Sequence, residues 1–303
     1  MSSADTNNKK RCGFVSVIGL PNAGKSTLIN TMVGAKVSIV SRKVQTTRSR
    51  ILGMALHNQT QIILIDTPGI FKPKRTLEKA MVSTALSSFE DTDLIIHIVD
   101  AAQKNVLEQS SQIIKALKGK KNVILVLNKI DRTKKETLLN LAKDFNDAFD
   151  YKATFMISAA NNKGVKDLSE FIANELPEGE WAYPEDQMSD MPMRLMAAEI
   201  TREKIYNHLH QELPYAIHVE TEKWENFDNG SVKISQIITV DKDSQKGIIL
   251  GKGGAKIKTI GQEARADLEE MLETTVHLKT FVRVQENWAE KLENYELFGL
   301  EKY

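Results

Sequence analysis

Gly19-Leu20-Pro21-Asn22-Ala23-Gly24-Lys25-Ser26 decides how the rest of the chain is read. A glycine, four residues, then Gly-Lys-Ser is the pattern of a phosphate-binding loop. Its glycines let successive backbone N–H groups curl around an anion, and a helix opening at Lys25 adds its N-terminal dipole. Lys25 is spaced to reach the β- and γ-phosphate oxygens, and the Ser26 hydroxyl to ligate Mg²⁺. Gly19, Pro21, Asn22, Ala23, Gly24 and Thr27 complete the candidate nucleotide contacts of this loop. An apolar run at 14–19 precedes it and an amphipathic stretch at 25–33 follows, the strand–loop–helix setting that the pattern requires.

Working outward, apolar runs recur at 51–56, 61–66, 94–100, 123–128 and 154–158, and amphipathic segments at 77–89, 106–117, 135–148 and 165–176. Strand then helix, repeated, predicts an α/β P-loop domain over 12–177, with a mostly parallel six-stranded sheet and helices on both faces. The runs at 51–56 and 61–66 are joined only by a short turn at Asn58, so they should form an antiparallel hairpin at one edge. Residues 1–11 are polar and are expected to be a flexible N-terminus.

Three further segments choose the nucleotide. Asp66-Thr67-Pro68-Gly69 ends the third strand, where Asp66 can hold Mg²⁺ through water and the Gly69 N–H can meet a γ-phosphate. Asn128-Lys129-Ile130-Asp131 ends the fifth. The Asp131 carboxylate can accept from guanine N1–H and the 2-amino group, donors that adenine lacks, so an adenine there would leave the carboxylate unpaired. Asn128 can brace the loop and Lys129 cover the base. Ser158-Ala159-Ala160 offers backbone N–H groups to guanine O6. All of these lie past the carboxyl ends of strands, where open α/β sheets bind ligands. The reading is a GTP/GDP-binding domain, and the Asn128–Asp131 segment argues against a nucleotide kinase or ATPase built on the same loop.

The loop at 34–50 should be the first switch. It holds Lys36, Arg42, Lys43, Arg48 and Arg50 with no acidic residue. Within Gln45-Thr46-Thr47-Arg48, Thr47 is preferred over Thr46 as the hydroxyl that joins Ser26 and Asp66 around the metal when the γ-phosphate is present. The residue after Gly69 is Ile70, where Ras-like enzymes carry a water-orienting glutamine. Isoleucine cannot orient water by hydrogen bonding. The expectation is that Asn22 helps hold a monovalent cation, K⁺, beside the phosphates. Lys25, Thr47, Gly69 and Asn22 are therefore the catalytic candidates.

Pro177, Pro184 and Pro192 then break the pattern and mark a linker over 178–192. Beyond it, residues 193–303 read as helix, strand, strand, helix, glycine turn, helix, strand, with a short C-terminal helix at 288–297. Gly251-Lys252-Gly253-Gly254 between helical segments has the Gly-X-X-Gly form with which KH domains grip four nucleotides of single-stranded nucleic acid. Lys246, Lys252, Lys256 and Lys258 stand around it with no acidic residue between 244 and 262, and Ile249 is a candidate for the apolar floor under the bases. The element order is that of a smaller α+β type II KH domain.

With these motifs in place the chain resembles the Era family of bacterial ribosome-assembly GTPases. The likeness spans essentially the whole chain: the Pro-Asn phosphate loop, Gln45-Thr46-Thr47-Arg48, Asp66-Thr67-Pro68-Gly69-Ile70, Asn128-Lys129-Ile130-Asp131, Ser158-Ala159-Ala160 and the downstream glycine turn. Leu20 and Ala23 depart from the Arg and Val that the family often carries, without disturbing the glycine or lysine framework. The resemblance implies GTP hydrolysis to GDP and phosphate, and binding of the 3′ end of 16S ribosomal RNA by the KH domain. It also implies a part in small (30S) subunit assembly and a peripheral link with the inner membrane.

Composition narrows the alternatives. The chain has 303 residues, 41 basic and 40 acidic side chains, and a formal charge of +1. Within it, residues 193–303 carry 15 basic and 19 acidic side chains, a net −4, so the proposed RNA-binding part is no bulk polyanion binder. One cysteine, Cys12, excludes an internal disulfide and a Cys-rich zinc site. The six histidines show no ligand spacing and are read as structural. No apolar run approaches the roughly 18 residues of a membrane span, and no signal-peptide core is present, so a cytoplasmic monomer is expected.

Overall fold

The computed structural model describes residues 9–41, 47, 50–71, 73, 76–88, 92–209 and 217–288. The expected C-terminal helix falls almost wholly outside them, as do Arg42, Lys43, Gln45, Thr46 and Arg48 of the first switch.

The first unit is one six-stranded sheet in the order β2-β3-β1-β4-β5-β6. Its strands are β1 (Arg11–Ile18), β2 (Ile51–His57), β3 (Thr60–Asp66), β4 (Leu94–Asp100), β5 (Val123–Asn128) and β6 (Ala153–Met156). Only β2 runs antiparallel, paired Ile51 with Asp66 through His57 with Thr60 around Asn58, whose φ of 53° is the left-handed conformation that a two-residue hairpin needs. Both faces of the parallel strands are apolar because both are covered. On one face, α1 (Lys25–Val33) and α6 (Val165–Glu175) bury Leu28, Ile29, Leu168 and Ile172 against Val15, Val17, Ile96 and Val126. On the other lie α2 (Thr76–Ser87), α3 (Val106–Gln109), α4 (Ser111–Leu117) and α5 (Lys135–Ala148), with Ile113, Leu117 and Phe145 against Ile95, Leu125 and Leu127.

Two local expectations need correction. The helix predicted over 106–117 is broken at Ser110, which closes α3 and opens α4. A serine at such a junction fits its preference for helix ends over helix interiors. The N-terminus is ordered earlier than expected, since Arg11 already pairs with Thr60 and its N–H donates to the Gln59 carbonyl at 3.0 Å. Of the histidines, His97 is fully buried with Nδ1 2.7 Å from the Tyr151 hydroxyl, and burial lowers its pKa to about 3, a neutral core residue.

The 178–192 stretch is non-helical, with a turn closed by the Gln187 N–H on the Pro184 carbonyl at 3.1 Å, and it is stitched to the sheet. Met54 N–H donates to the Met188 carbonyl at 2.9 Å, Leu52 N–H to Asp190 Oδ1 at 2.8 Å, and Gly53 bridges Ser189. Gln61, fully buried, donates to the Tyr183 carbonyl and accepts from the Ala182 and Tyr183 N–H groups.

The second unit is a three-stranded sheet, β7 (Ile217–Asn226), β8 (Val232–Val240) and β9 (Val276–Val284), with β7 antiparallel and β9 parallel to β8. Among the described residues it also holds the α-helices α7 (Met193–His208), α8 (Asp243–Leu250) and α9 (Ala255–Leu272). Ile205, Ile260, Ala264 and Leu268 pack on Ile217, Ile234 and Ile238. Residue 288 ends the described chain with Trp288 buried and stacked on His218, ring centroids 5.6 Å apart. No helix among the described residues is long and apolar enough to cross a membrane.

Candidate functional site

The phosphate loop joins β1 to α1, and its shape rests on glycines that tolerate no side chain. A Cβ on Gly19 would lie 2.4 Å from the Ile98 carbonyl oxygen. One on Gly24, at φ +102°, would lie 2.2 Å from Asn128 Nδ2. The loop borders a cavity of about 750 Å³ that also reaches Thr47, Gly69, Asp131, Ser158 and Ala160. Residues from four separate strand ends thus meet at one site.

At the phosphate end, Lys25 is 6% exposed and its ammonium donates to the Gly19 and Leu20 carbonyls at 3.3 and 3.2 Å. Burial pushes its pKa down to about 8, against a smaller upward pull from Asp66. Asp66 is buried, and desolvation raises its pKa despite hydrogen bonds from Ser38, Ser26 and Thr47. Ser26 and Ser38 hydroxyls donate to Asp66 Oδ2 at 2.7 and 2.6 Å, and Thr47 Oγ1 lies 3.1 Å from Ser26 Oγ. Oδ1 of Asp66 is buried with no hydrogen-bond partner among the described residues. Two hydroxyls beside a carboxylate with an unsatisfied oxygen suit a hard cation such as Mg²⁺. No cluster of three or more His, Cys, Asp or Glu exists among the described residues.

Gly69 packs on Pro21, where a Cβ would come within 3.0 Å. The next residue, Ile70, turns into the apolar core at 1% exposure, and its N–H donates to the Gly19 carbonyl at 3.2 Å. Its side chain is therefore turned away from any attacking water. Asn22 sits on the cavity wall in the left-handed conformation, φ 62°, with its carbonyl accepting from Lys129 Nζ at 2.7 Å.

At the base end, Asn128 acts as a brace. Its Nδ2 donates to the Ala23 carbonyl at 2.9 Å and its Oδ1 accepts from the Ala159 N–H at 3.0 Å. Ser158 Oγ donates to Asp131 Oδ1 at 2.6 Å, orienting the carboxylate and holding its pKa below the usual aspartate value. The Ser158 N–H donates to the Lys163 carbonyl at 3.0 Å. Of the three N–H groups expected to meet guanine O6, those of Ser158 and Ala159 thus donate inside the protein, and the third belongs to Ala160, which lines the cavity together with Ser158. Gly19, Ala23, Asp66 and Ala159 stand behind the cavity wall as framework.

Sequence reasoning overlooked Ser38, Asp100 and Asn207. Ser38 holds Asp66, and Asp100 accepts from Lys129 Nζ at 2.7 Å, fixing the stem over the base site. Asp100 was discoverable as an acid at the carboxyl end of β4. Asn207 comes from α7 of the second unit and lines the same cavity, for which no local pattern exists.

In the second unit, the glycine turn carries three residues at positive φ: Gly251 (69°), Gly253 (60°) and Gly254 (77°). Lys252 and Lys258 are exposed, with Lys246 and Lys256 half-buried beside them. Ile249 requires correction: it is 0% exposed in the core beneath the sheet, whereas Ile248 is 48% exposed. On a helix adjacent residues face different ways, so the apolar surface beside the turn is Ile248.

A family described as "50S ribosome-binding GTPase" matches residues 14–129, and the KH domain family matches 212–289. The GTPase Era of Mesorhizobium japonicum is 53% identical over 290 residues, covering 95% of this chain and 93% of that protein. The chain belongs to the Era GTPase family. The GTPase Era of Rhizobium meliloti is likewise 53% identical, over 96% of this chain and 93% of its own length. Among solved structures, Aquifex aeolicus Era bound to GDP·AlF4⁻ superposes with a TM-score of 0.88 at 38% identity, over 95% and 99% of the two chains. Era in complex with MgGDPNP and nucleotides 1506–1542 of 16S ribosomal RNA gives 0.88 and 38%, over 96% and 99%. The architecture is accordingly a P-loop GTPase unit followed by a KH unit, as the motifs implied.

Proposed function

We propose that this Era-family GTPase is a switch that binds the 3′ end of 16S ribosomal RNA through its KH domain and assists small-subunit assembly. One observation carries it: Lys25, Ser26 and Asp131 border one cavity in a chain whose second unit presents an exposed glycine turn ringed by lysines. The assignment divides the chain into a GTPase domain over 12–177, a linker at 178–192 and the KH domain from 193. Asp131 and Ala160 bind guanine, Asn128 braces the loop, and Lys25 and the Gly69 N–H meet the terminal phosphates. Mg²⁺, held by Ser26 and Thr47 with Asp66 behind them, neutralises phosphate charge when bound. A cytoplasmic monomer with a peripheral membrane contact completes the proposal.

Because Ile70 points into the core it cannot orient water, and Asn22, on the cavity wall, is read as helping to hold a K⁺ that stabilises charge beside the phosphates. GTP turnover is expected to rise in K⁺ buffer relative to Na⁺; equal rates remove the monovalent ion from the scheme.

RNA from the small-subunit 3′ end is expected to change the GTPase rate and to bind through the glycine turn. Gly253→Asp tests the second point: nothing lies within 4 Å of a Cβ there, and aspartate, though strained at a φ of +60°, is among the few side chains that visit the left-handed conformation. The new carboxylate faces the phosphate backbone, and RNA affinity should fall on the order of tenfold or more. Unchanged binding in a titration with labelled RNA would move the RNA site away from Gly251–Gly254.

A further inference from the structure

α7 is buried nearly all round, and its buried residues include two charged ones, Arg202 and Glu203. Arg202 is answered within the helix by Glu199. Glu203 is answered from the other unit. At 5% exposure its Oε1 accepts from the Val40 N–H at 2.8 Å and its Oε2 from Lys36 Nζ at 2.5 Å. Lys36 also donates to Asp267 of α9 at 2.9 Å, and Asp267 is paired with Lys204 at 2.6 Å. Burial works against the Lys36 ammonium, but the two carboxylates more than offset it and hold its pKa above the ordinary lysine value.

The segment gripped here is the first switch. Between Lys36 and Val40 stands Ser38, whose hydroxyl is on Asp66, so one short run touches the metal-site carboxylate and the second unit together. Asn207 lies one helical turn beyond Glu203, on the same face of α7, and lines the nucleotide cavity beside Val40 and Ser41. Asp267 lies twelve residues into α9, a helix that begins directly after Gly254. At 1.5 Å per residue, this one rod spans roughly 18 Å from the glycine turn to Asp267.

We propose that α7 reads the nucleotide site for the RNA site: Glu203 is a positioning residue that holds the switch backbone, Asn207 touches the bound nucleotide, and Asp267 on α9 passes the switch position to the glycine turn. This deepens the functional reading above and rests on it. Coupling of this kind is reciprocal, so RNA and GTP should each change the affinity for the other by the same factor. It requires the switch to bond α7 differently in the two nucleotide states.

The test uses the full chain, a labelled RNA oligonucleotide from the small-subunit 3′ end, and GDP or GDPNP in excess. The wild-type protein is expected to show RNA dissociation constants at least tenfold apart in the two nucleotides. In Glu203→Gln and Lys36→Met the ratio should fall to within about threefold of unity. The double variant should be no worse than either single one, because the two groups act as a pair. Asp267→Asn, with its carboxylate partly exposed, serves where a buried substitution fails to fold, and it should lower the ratio at least threefold. Asn207→Ala should weaken nucleotide binding about threefold to tenfold, the size of one hydrogen bond. A wild-type ratio retained in the variants, with nucleotide affinity unchanged in Asn207→Ala, overturns the role of α7 and leaves the RNA switch standing. A wild-type ratio of unity overturns the switch itself.

Discussion

Asp131→Asn is expected to lower GTP affinity by on the order of 10²–10⁴-fold and to shift preference to xanthosine triphosphate. In the proposed site the carboxylate would accept two hydrogen bonds from guanine, and bonds to a charged group contribute about 1.5–3 kcal/mol each. Losing the charge and one acceptor turns a matched pair into a donor facing a donor. Xanthine presents a carbonyl where guanine has its 2-amino group, which the new amide can meet. Ser158 already orients the group through its 2.6 Å bond to Oδ1 and keeps it ionised, so no rearrangement is needed to display the acceptors. Displacement of a fluorescent guanine nucleotide by GTP and by xanthosine triphosphate measures the change. If Asp131→Asn still preferred GTP, Asp131 would not be the base-reading residue.

Lys25→Met should have opposite effects on binding and stability. Removing the ammonium strips charge-assisted bonds from two phosphates, and nucleotide affinity should fall about 10²–10³-fold. In nucleotide-free protein the same change should be stabilising. The folded chain lowers the Lys25 pKa from 10.5 to about 8 through burial. Below pH 8 both folded and unfolded chains carry the proton, and the cost of burying the charge is fully present, on the order of 3 kcal/mol. As pH rises from about 8 to 10.5 the unfolded chain binds more protons than the folded one, and that cost is relieved. Melting of the nucleotide-free wild type should therefore show a stabilising contribution over this window that is absent in Lys25→Met. A variant that melts lower than the wild type at pH 7 would show that Lys25 is not paying a desolvation cost.

The contrast between those two residues and Glu203 shows where a sequence is informative. Lys25, Ser26, Asp66, Asn128 and Asp131 follow strands at short fixed spacings, and such spacing determines geometry locally. The mostly parallel sheet and its edge hairpin could be read from the same runs, because parallel pairing needs helical crossovers and the 51–66 hairpin needs only Asn58; the strand order could not. Ile249 was misassigned because a run of three apolar residues at 248–250 does not say which one faces the core until the sheet beneath α8 is in place. Ser110 could not be distinguished from an ordinary polar helix residue by its amphipathic surroundings. Glu203 and Asn207 were invisible for a stronger reason: the hydrogen-bond partners of Glu203 are 163 and 167 residues away, and Asn207 lines a cavity built by the other unit. In isolation α7 reads as a helix with no well-marked apolar face. Its buried carboxylate acquires meaning only when the switch is laid against it.

The stitched 178–190 segment has a practical consequence for anyone dividing the chain. β2 is the outermost strand of the first sheet, and Met188, Ser189 and Asp190 occupy its open hydrogen-bonding groups. Cutting after 177 would strip that cover and leave Leu52, Met54, Ile63 and Ile65 beside a bare strand, an invitation to edge-to-edge aggregation. A soluble first unit should extend to Asp190. Only Met191 and Pro192 then separate the stitched segment from α7, a junction two residues long rather than a fifteen-residue tether.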